Sequence, residues 1–294
     1  MRPIRPDAVR LRLSGFTLLE MILSIVIVAI IFGATLFFAY PIQQAGDVTT
    51  RAELTDMADN ALQRIGRDAR LALPNSVRVT ANSGVYYLEL IPLRTGARYR
   101  IESSGGCSGG GTDELAFNVA DGCFKSIGPI PDDTTITIND FLVLNNYGKD
   151  FTNQDAYDPA STNRRQIVTG TSSTTVKYTS TSAFDRTLHD SPGRRFFIVT
   201  TPVSYVCDPN AHTLTRYSGY NDLFTNPASP QPTSFGVGAS ALVATNVTDC
   251  GFTYSLNVAP KIGLLTLQLR LSKTVSTGSE SVSLYHAVHV NNIP

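Results

Sequence analysis

One stretch constrains this chain more than any other. From Leu13 to Gly46 the sequence is almost uncharged, and Glu20 is the only charged residue inside it. A carboxylate in hydrocarbon costs roughly 2.5–3.5 kcal/mol on insertion scales. A segment needed only as an anchor gains nothing from carrying one there. The 25 residues from Phe16 to Tyr40 would span about 37 Å as a helix, enough to cross a hydrocarbon core of about 30 Å. Arg2, Arg5, Arg10 and Arg12 precede the run. The positive-inside rule then keeps the segment before the run cytoplasmic and exports everything after Tyr40. An ordinary cleaved signal peptide would have a shorter apolar run followed by a small-x-small site, and none follows. A plain signal anchor leaves Gly15, Phe16 and Glu20 unexplained.

The helical pattern continues beyond the apolar run in amphipathic form. Leu54, Met57, Ala58, Ala61, Leu62, Ile65, Ala69 and Leu73 fall on one face, and charged or amide residues fill the rest. Pro74 ends the helix, because the residue before a proline avoids helical geometry. A helix from Phe16 to Leu73 would be about 87 Å long. Its first half, 16–40, is apolar all round. Its second half, 47–73, is apolar on one stripe, as suits a helix lying on its own domain. Pro41 is expected to kink or open this spine, and Gly46 to mark a break and restart.

From Asn75 to the end, 75–294, the pattern is β. Val85 to Ile91, Phe141 to Leu144 and Phe196 to Val199 read as strands. Leu265 to Leu271 alternates strictly, with leucines on one face. A last strand runs from about Glu280 to Val290. On it His286 shares a face with Val282, Leu284, Val288 and Val290, and His289 points the other way. Glycine-rich Ser103 to Thr112 and the polar stretches 145–165 and 221–238 read as long loops. The whole region makes either one large domain or two small lobes.

Four cysteines, Cys107, Cys123, Cys207 and Cys250, suit two disulfides in an exported domain, for which three pairings exist. The sequence-local pairs Cys107–Cys123 and Cys207–Cys250 are favoured. A four-cysteine zinc site is the rival, but no C-x-x-C spacing exists. Charge excludes a nucleic-acid partner. Without the four arginines and Asp7 that precede Gly15, the 24 basic and 24 acidic residues become 20 and 23, with no basic cluster. No nucleophile elbow, phosphate loop, H-E-x-x-H or dinucleotide fingerprint occurs. The expectation is therefore no enzyme, no cofactor and no metal. His189, His212, His286 and His289 read as structural. Asn145, Asn146, Asp150, Asn153, Asp155 and Asp158 read as a solvated loop, with calcium as the alternative chemistry. Arg64, Arg67 and Arg70 read as a solvated face, with an acidic neighbouring subunit as the alternative.

The basic leader, Gly15, Phe16 and a Glu four residues on together resemble the processing signature of type IV prepilins. The resemblance implies a leader peptide, 1–15, that prepilin peptidase removes after Gly15. It implies an N-methylated Phe16, and Glu20 pairing with the amino terminus of a neighbouring subunit. A second motif runs Ala58-Asp59-x-Ala61-Leu62-x-Arg64-x-x-Arg67-Asp68-x-Arg70-x-Ala72-Leu73-Pro74-Asn75-Ser76-Val77-Arg78. With Val203 to Asp208, Thr215 to Tyr220, Cys250 to Tyr254 and the ending His289 to Pro294, it resembles the minor pilin-like proteins of the mannose-sensitive haemagglutinin pilus, the MshO type. More distant similarity is to J-type pseudopilins and W-type minor pilins. Retention of Glu20 separates the chain from K-type tip pseudopilins.

The resemblance implies an α+β pilin-like fold: a long N-terminal spine, transmembrane then amphipathic, packed on an antiparallel sheet. It implies a single-pass inner-membrane protein with a periplasmic head that later joins a pilus-like filament. Its partners would be prepilin peptidase, other minor and major pilins, the inner-membrane assembly platform and membrane lipid. The function so implied is to start or cap a filament. The alternatives are a J-type pseudopilin of type II secretion or a membrane-anchored adhesin.

Overall fold

In the computed structural model, residues 17–107, 111–220, 235, 238–259, 261–275 and 278–294 are described, the side chains at 37–47 and 257–259 aside. A single helix, α1 (Leu18–Arg70), leads into an α+β domain whose strand pairs are all antiparallel. Pro41 and Gly46 lie inside this helix, so the expected break and restart does not occur. A proline removes one ladder bond, and the turns on either side continue the helix regardless.

The helix ends three residues earlier than its apolar pattern suggested. Leu71 caps it through its N–H to the Arg67 carbonyl. The chain then pairs with the segment at 91–93: the Leu73 N–H donates to Ile91 at 2.8 Å, and the Leu93 N–H to Leu71 at 2.9 Å. Leu73 is buried, but it belongs to the next layer rather than to the helix.

Two sheets carry the spine. The first has the order β1-β2-β9-β10-β11. Its strands are β1 (Arg78–Asn82), β2 (Val85–Leu90), β9 (Val203–Asp208), β10 (Thr213–Ser218) and β11 (Ala239–Thr245). The second has the order β12-β13-β14, from β12 (Val247–Ala259), β13 (Ile262–Val275) and β14 (Gly278–Asn291). Alternation decides the faces. Leu265, Leu267, Leu269 and Leu271 of β13 are buried, as are Val288 and Val290 of β14. They meet Leu54, Ala58, Ala61, Leu62, Ile65 and Ala69 of α1, together with Leu88, Tyr205 and Leu214 of the first sheet, in one core.

Strands β2 and β9 are neighbours in space but lie far apart in sequence. Everything between them forms an inserted lobe. Its four-stranded sheet runs β3-β8-β5-β6, from β3 (Leu93–Arg98), β8 (Arg195–Val199), β5 (Phe141–Val143) and β6 (Arg164–Gln166). A ribbon of β4 (Cys123–Lys125) and β7 (Thr175–Lys177) completes it, with a 3-10 turn at Asp133–Thr135 and the short helix α2 (Arg186–His189). The pairs Leu90 with Val203 and Leu93 with Val199 show that the chain enters and leaves this lobe side by side. The lobe has its own aromatic core around Tyr99, Phe124, Phe184 and Phe196. A third cluster, including Leu73, Ile91, Val199 and Tyr220, joins it to the first sheet. Within 75–294 the lobe with the aromatic core is thus inserted in sequence between β2 and β9 of the spine-bearing lobe.

Candidate functional site: an exposed spine and its junction

The helix from Leu18 to Leu36 has a mean hydropathy of 2.5, and none of it is buried. Met21, Ile25, Val28, Ile31 and Phe32 all stand open. Monomeric soluble proteins rarely leave an apolar patch larger than a few hundred Å², so this half has the surface of a segment made for lipid or for other helices. By length and composition it is a membrane anchor or a signal sequence. The Thr17 hydroxyl accepts the Glu20 N–H at 3.3 Å and caps its first turn. Glu20 is exposed in that turn, where the helix dipole favours a carboxylate by up to about 1 kcal/mol. Gly15 and Phe16 lie outside the described residues.

The second half of α1 is seated closely. A side chain at Gly66 would come within 3.1 Å of the His286 ring and 3.2 Å of Val288, so the absence of one sets how near β14 approaches. His286 packs there, while His289 is exposed on the opposite face of β14. Asp68 ties α1 to the first sheet. Its carboxylate accepts the Tyr205 hydroxyl at 2.7 Å and the Arg216 Nε–H at 3.1 Å. Burial, then the carboxylate beside it, pushes the Tyr205 hydroxyl up. Arg64, Arg67 and Arg70 are exposed.

Below the helix, the motif Pro74 to Arg78 joins four parts of the fold. Asn75 adopts a left-handed conformation, φ 60°, which Asn tolerates better than most residues. Its N–H donates to the Asn292 side chain at 3.2 Å, and its amide to the Asn146 carbonyl at 2.8 Å. The Asn146 amide donates back to the Pro74 carbonyl at 2.7 Å, and the Tyr157 hydroxyl to the Ser76 carbonyl at 2.8 Å. Part of the stretch read as a solvated loop is therefore turned inward, while Asp150 is exposed and Asn153 and Asp158 are half-buried. Asn145, Asn146, Asp155, Ala156 and Tyr157 are buried; Asn146 and Tyr157 complete carbonyls of the junction that would otherwise be stranded, and the Asn145 amide donates to the Leu188 carbonyl at 2.7 Å. Asp155 accepts the Tyr157 N–H at 3.0 Å, and Asp158 the Ala160 N–H at 2.8 Å. No group of three or more His, Cys, Asp or Glu side chains among the described residues could hold a metal.

Glu89 escaped the sequence reading. It is fully buried on the face of β2 away from the helix, directly across from Arg78. Arg78 forms an ion pair with it, the Tyr220 hydroxyl donates to it at 2.9 Å, and Ser204 bonds Tyr220 at 2.6 Å. Arg78 also lies over the Tyr157 ring, 4.0 Å from its centre. Burial pushes the Glu89 carboxyl up, and Arg78 pulls against it. A legible signal existed: Ser83 and Gly84, both at positive φ, make a two-residue turn, and counting back from it sets Arg78 opposite Glu89.

His189 is a structural residue of the inserted lobe. Its Nδ1 accepts the Asp185 N–H at 2.9 Å, which leaves the proton on Nε2, 3.1 Å from the Asn153 carbonyl. Burial lowers its pKa. The cysteines pair as Cys107 with Cys123 and Cys207 with Cys250, with Cα separations of 6.1 and 6.5 Å. The second pair joins β9 to β12 and so staples one spine-bearing sheet to the other. Compared with known proteins, this chain matches no family model, no curated protein and no solved structure.

Proposed function

We propose that this chain is a non-enzymatic minor pilin-like subunit that helps to start or cap a type IV pilus-like filament. What carries the proposal is one continuous helix with two surfaces: an apolar half open all round from Leu18 to Leu36, and a half seated on β-sheet from Leu54 to Ala69. A secreted protein has no use for such a helix once its signal is cut. A subunit that waits in the membrane and then packs spine against spine uses both halves. In this reading the chain is a single-pass inner-membrane protein, with its head in the periplasm. Prepilin peptidase cuts after Gly15, Phe16 becomes the methylated first residue, and Glu20 pairs with the amine of a neighbour's Phe16. Such a pair makes a carboxylate at that depth tolerable.

Sheared filaments test it. The chain is expected among their minor components, with methylated Phe16 at its amino terminus by mass spectrometry. A Gly15→Val chain is expected to keep its leader and stay in the membrane. Glu20→Leu should insert normally but drop out of filaments. Any other mature terminus, or normal piliation by Glu20→Leu in a deletion strain, would sink the proposal.

A further inference from the structure

One edge of the second sheet is left open. β14 pairs with β13 through all 14 of its residues, with no register shift. The Ser272 N–H bonds Asn246 on the β12 side, and the Asn292 N–H bonds Lys261 on the β13 side. Alternation therefore turns the backbone groups of the even-numbered residues of β14 toward β13. The odd-numbered ones, Ser279 to Asn291, aim their N–H and C=O groups away from the sheet, and among the described residues nothing bonds them. Their side chains are all exposed, Tyr285 to 69%. Native edges are normally blunted by shortness, proline, lysine or a bulge. Other edges of this chain follow that rule: β1 has five residues and β6 three, and the pairings of β3, β11 and β12 are irregular. β14 has no proline, lysine or bulge. On its helix-facing side Val282, Leu284 and His286 are only half-buried, whereas Leu271, Leu269 and Leu267 opposite them on β13 are fully buried. The core is thus unsealed at this edge.

We propose that the free edge of β14 is a strand-addition site, completed by an extended segment of a different subunit. β14 climbs along the spine. Lys273, whose neighbour on β14 is Glu280, reaches Glu53; His286 and Val288 meet Gly66; Asn292 meets Asn75. From Glu53 to Gly66 the helix rises about 20 Å, and from Glu280 to Ala287 the strand rises about 23 Å. The two therefore run nearly parallel. That direction excludes a symmetric pair of copies. Two β14 edges joined antiparallel would point their membrane helices opposite ways, which chains anchored in one membrane cannot do. Joined parallel about a two-fold axis, they would set N–H against N–H. This exclusion rests on the pilin reading, which anchors every copy in one membrane. The occupant is an unlike strand, as suits a subunit that starts or caps a filament. Its chemistry follows from the edge. Apolar residues alternate toward Val282 and Leu284, small or polar ones lie beside Ser283 and Ala287, and no proline interrupts them.

Intact cells carrying the full-length chain with photoreactive p-benzoylphenylalanine in place of Tyr285 test this. Light is expected to give an adduct with a protein other than this chain. The same probe at Ser281 and at His289 should attach to that protein in steps of about four residues. Ser283→Pro with Ala287→Pro removes two outward N–H groups and no bond to β13. The melting temperature in detergent should hold while the adduct falls about tenfold. Ser283→Ala with Ala287→Ser keeps both N–H groups and should change neither. No adduct, an adduct with an epitope-tagged second copy, attachment without strand spacing, or a yield indifferent to the prolines each overturns the site. If the proline chain melts early, amide exchange on the unaltered chain decides instead. The odd-numbered amides of β14 should exchange freely in detergent and about tenfold more slowly in the native membrane, and equal rates overturn the site. Filament incorporation, scored on the same cells, separates the two proposals. A chain present in filaments without an adduct defeats this edge and leaves the pilin reading intact. A chain that forms the adduct but never enters filaments defeats the pilin reading and leaves the edge.

Discussion

The two lobes of the head are built on different economies of contact. The spine-bearing lobe has a core of aliphatic side chains from a helix and two sheets, closed by a disulfide between the sheets. The inserted lobe has short strands, an aromatic core and long loops held by side-chain hydrogen bonds to backbone. Its disulfide ties a glycine-rich loop to a three-residue strand. The first lobe seats the helix on both sheets and ties those sheets together by a disulfide. The second begins and ends side by side on adjoining strands, so it can loosen without breaking the first. That difference predicts which changes cost most.

The largest separation should come from the disulfides. Cys207→Ser opens a link across 43 residues and Cys107→Ser one across 16. The chain-entropy relation gives losses of about 4 and about 3 kcal/mol. Cys207→Ser should also loosen the seat of α1, since Cys207 and Cys250 lie in the same core as Leu62. Thermal melting of the full chain in detergent measures both. A greater loss for Cys107→Ser would reverse the ranking of the lobes.

Next comes the helix, where one element meets two environments. Leu62 is buried against the sheets, and Leu23 is exposed. Leu62→Ala should cost about 3 kcal/mol through lost burial and the cavity left behind. Leu23→Ala should leave the melting temperature of the head unchanged. Equal effects would mean that the apolar half packs on the head.

Much of the spine-bearing lobe was legible because its order is local and periodic. The leucines of β13 alternate in sequence as they do in the fold, His286 and His289 fall on opposite faces, and the stripe of α1 reads directly from its spacing. The inserted lobe was not legible, because the pairing of Leu90 with Val203 links residues that no local pattern relates. The inward part of the loop at 145–158 misled for a physical reason. Asn and Asp favour turns whether they face water or complete buried backbone, and composition does not separate the two. The end of α1 at Arg70 was set by partners at Ile91 and Leu93, beyond the reach of helix periodicity.

A smaller effect sharpens the link between helix and sheet. Tyr205→Phe removes the 2.7 Å bond to Asp68 but leaves the ring in the core. A hydrogen bond to a charged group contributes roughly 1.5–3 kcal/mol. Asp68 keeps Arg216 and is 25% exposed, so a loss of about 1 kcal/mol is expected. Asp68→Ala, which removes both contacts, should cost more. If the two variants melt alike, Arg216 contributes nothing to the seat.

The last prediction concerns acid, to which the two lobes should respond with opposite sign. In the inserted lobe, Asp113 accepts the Ser104 N–H and hydroxyl at 2.8 Å each, and the Gly105 N–H and Ser103 hydroxyl at 3.1 Å each. These donors, the Ser104 N–H foremost, hold its carboxyl well below the usual range. A carboxyl depressed on folding supplies stability at any pH above its unfolded value, about 4. That contribution disappears as pH falls toward the folded value, because the unfolded chain then binds the extra proton. Glu89 in the first lobe is raised by burial. Its contribution has the opposite sign: it favours the fold below about 4 and is lost as pH rises through the folded value. Between pH 5 and pH 2.5, Asp113→Asn should therefore flatten the fall in melting temperature, having already lost the clamp. Glu89→Gln should steepen it, because the native chain's tighter hold on that proton no longer offsets the loss elsewhere. Parallel curves for native and Asp113→Asn chains would show that the loop around Cys107 is held by its disulfide alone.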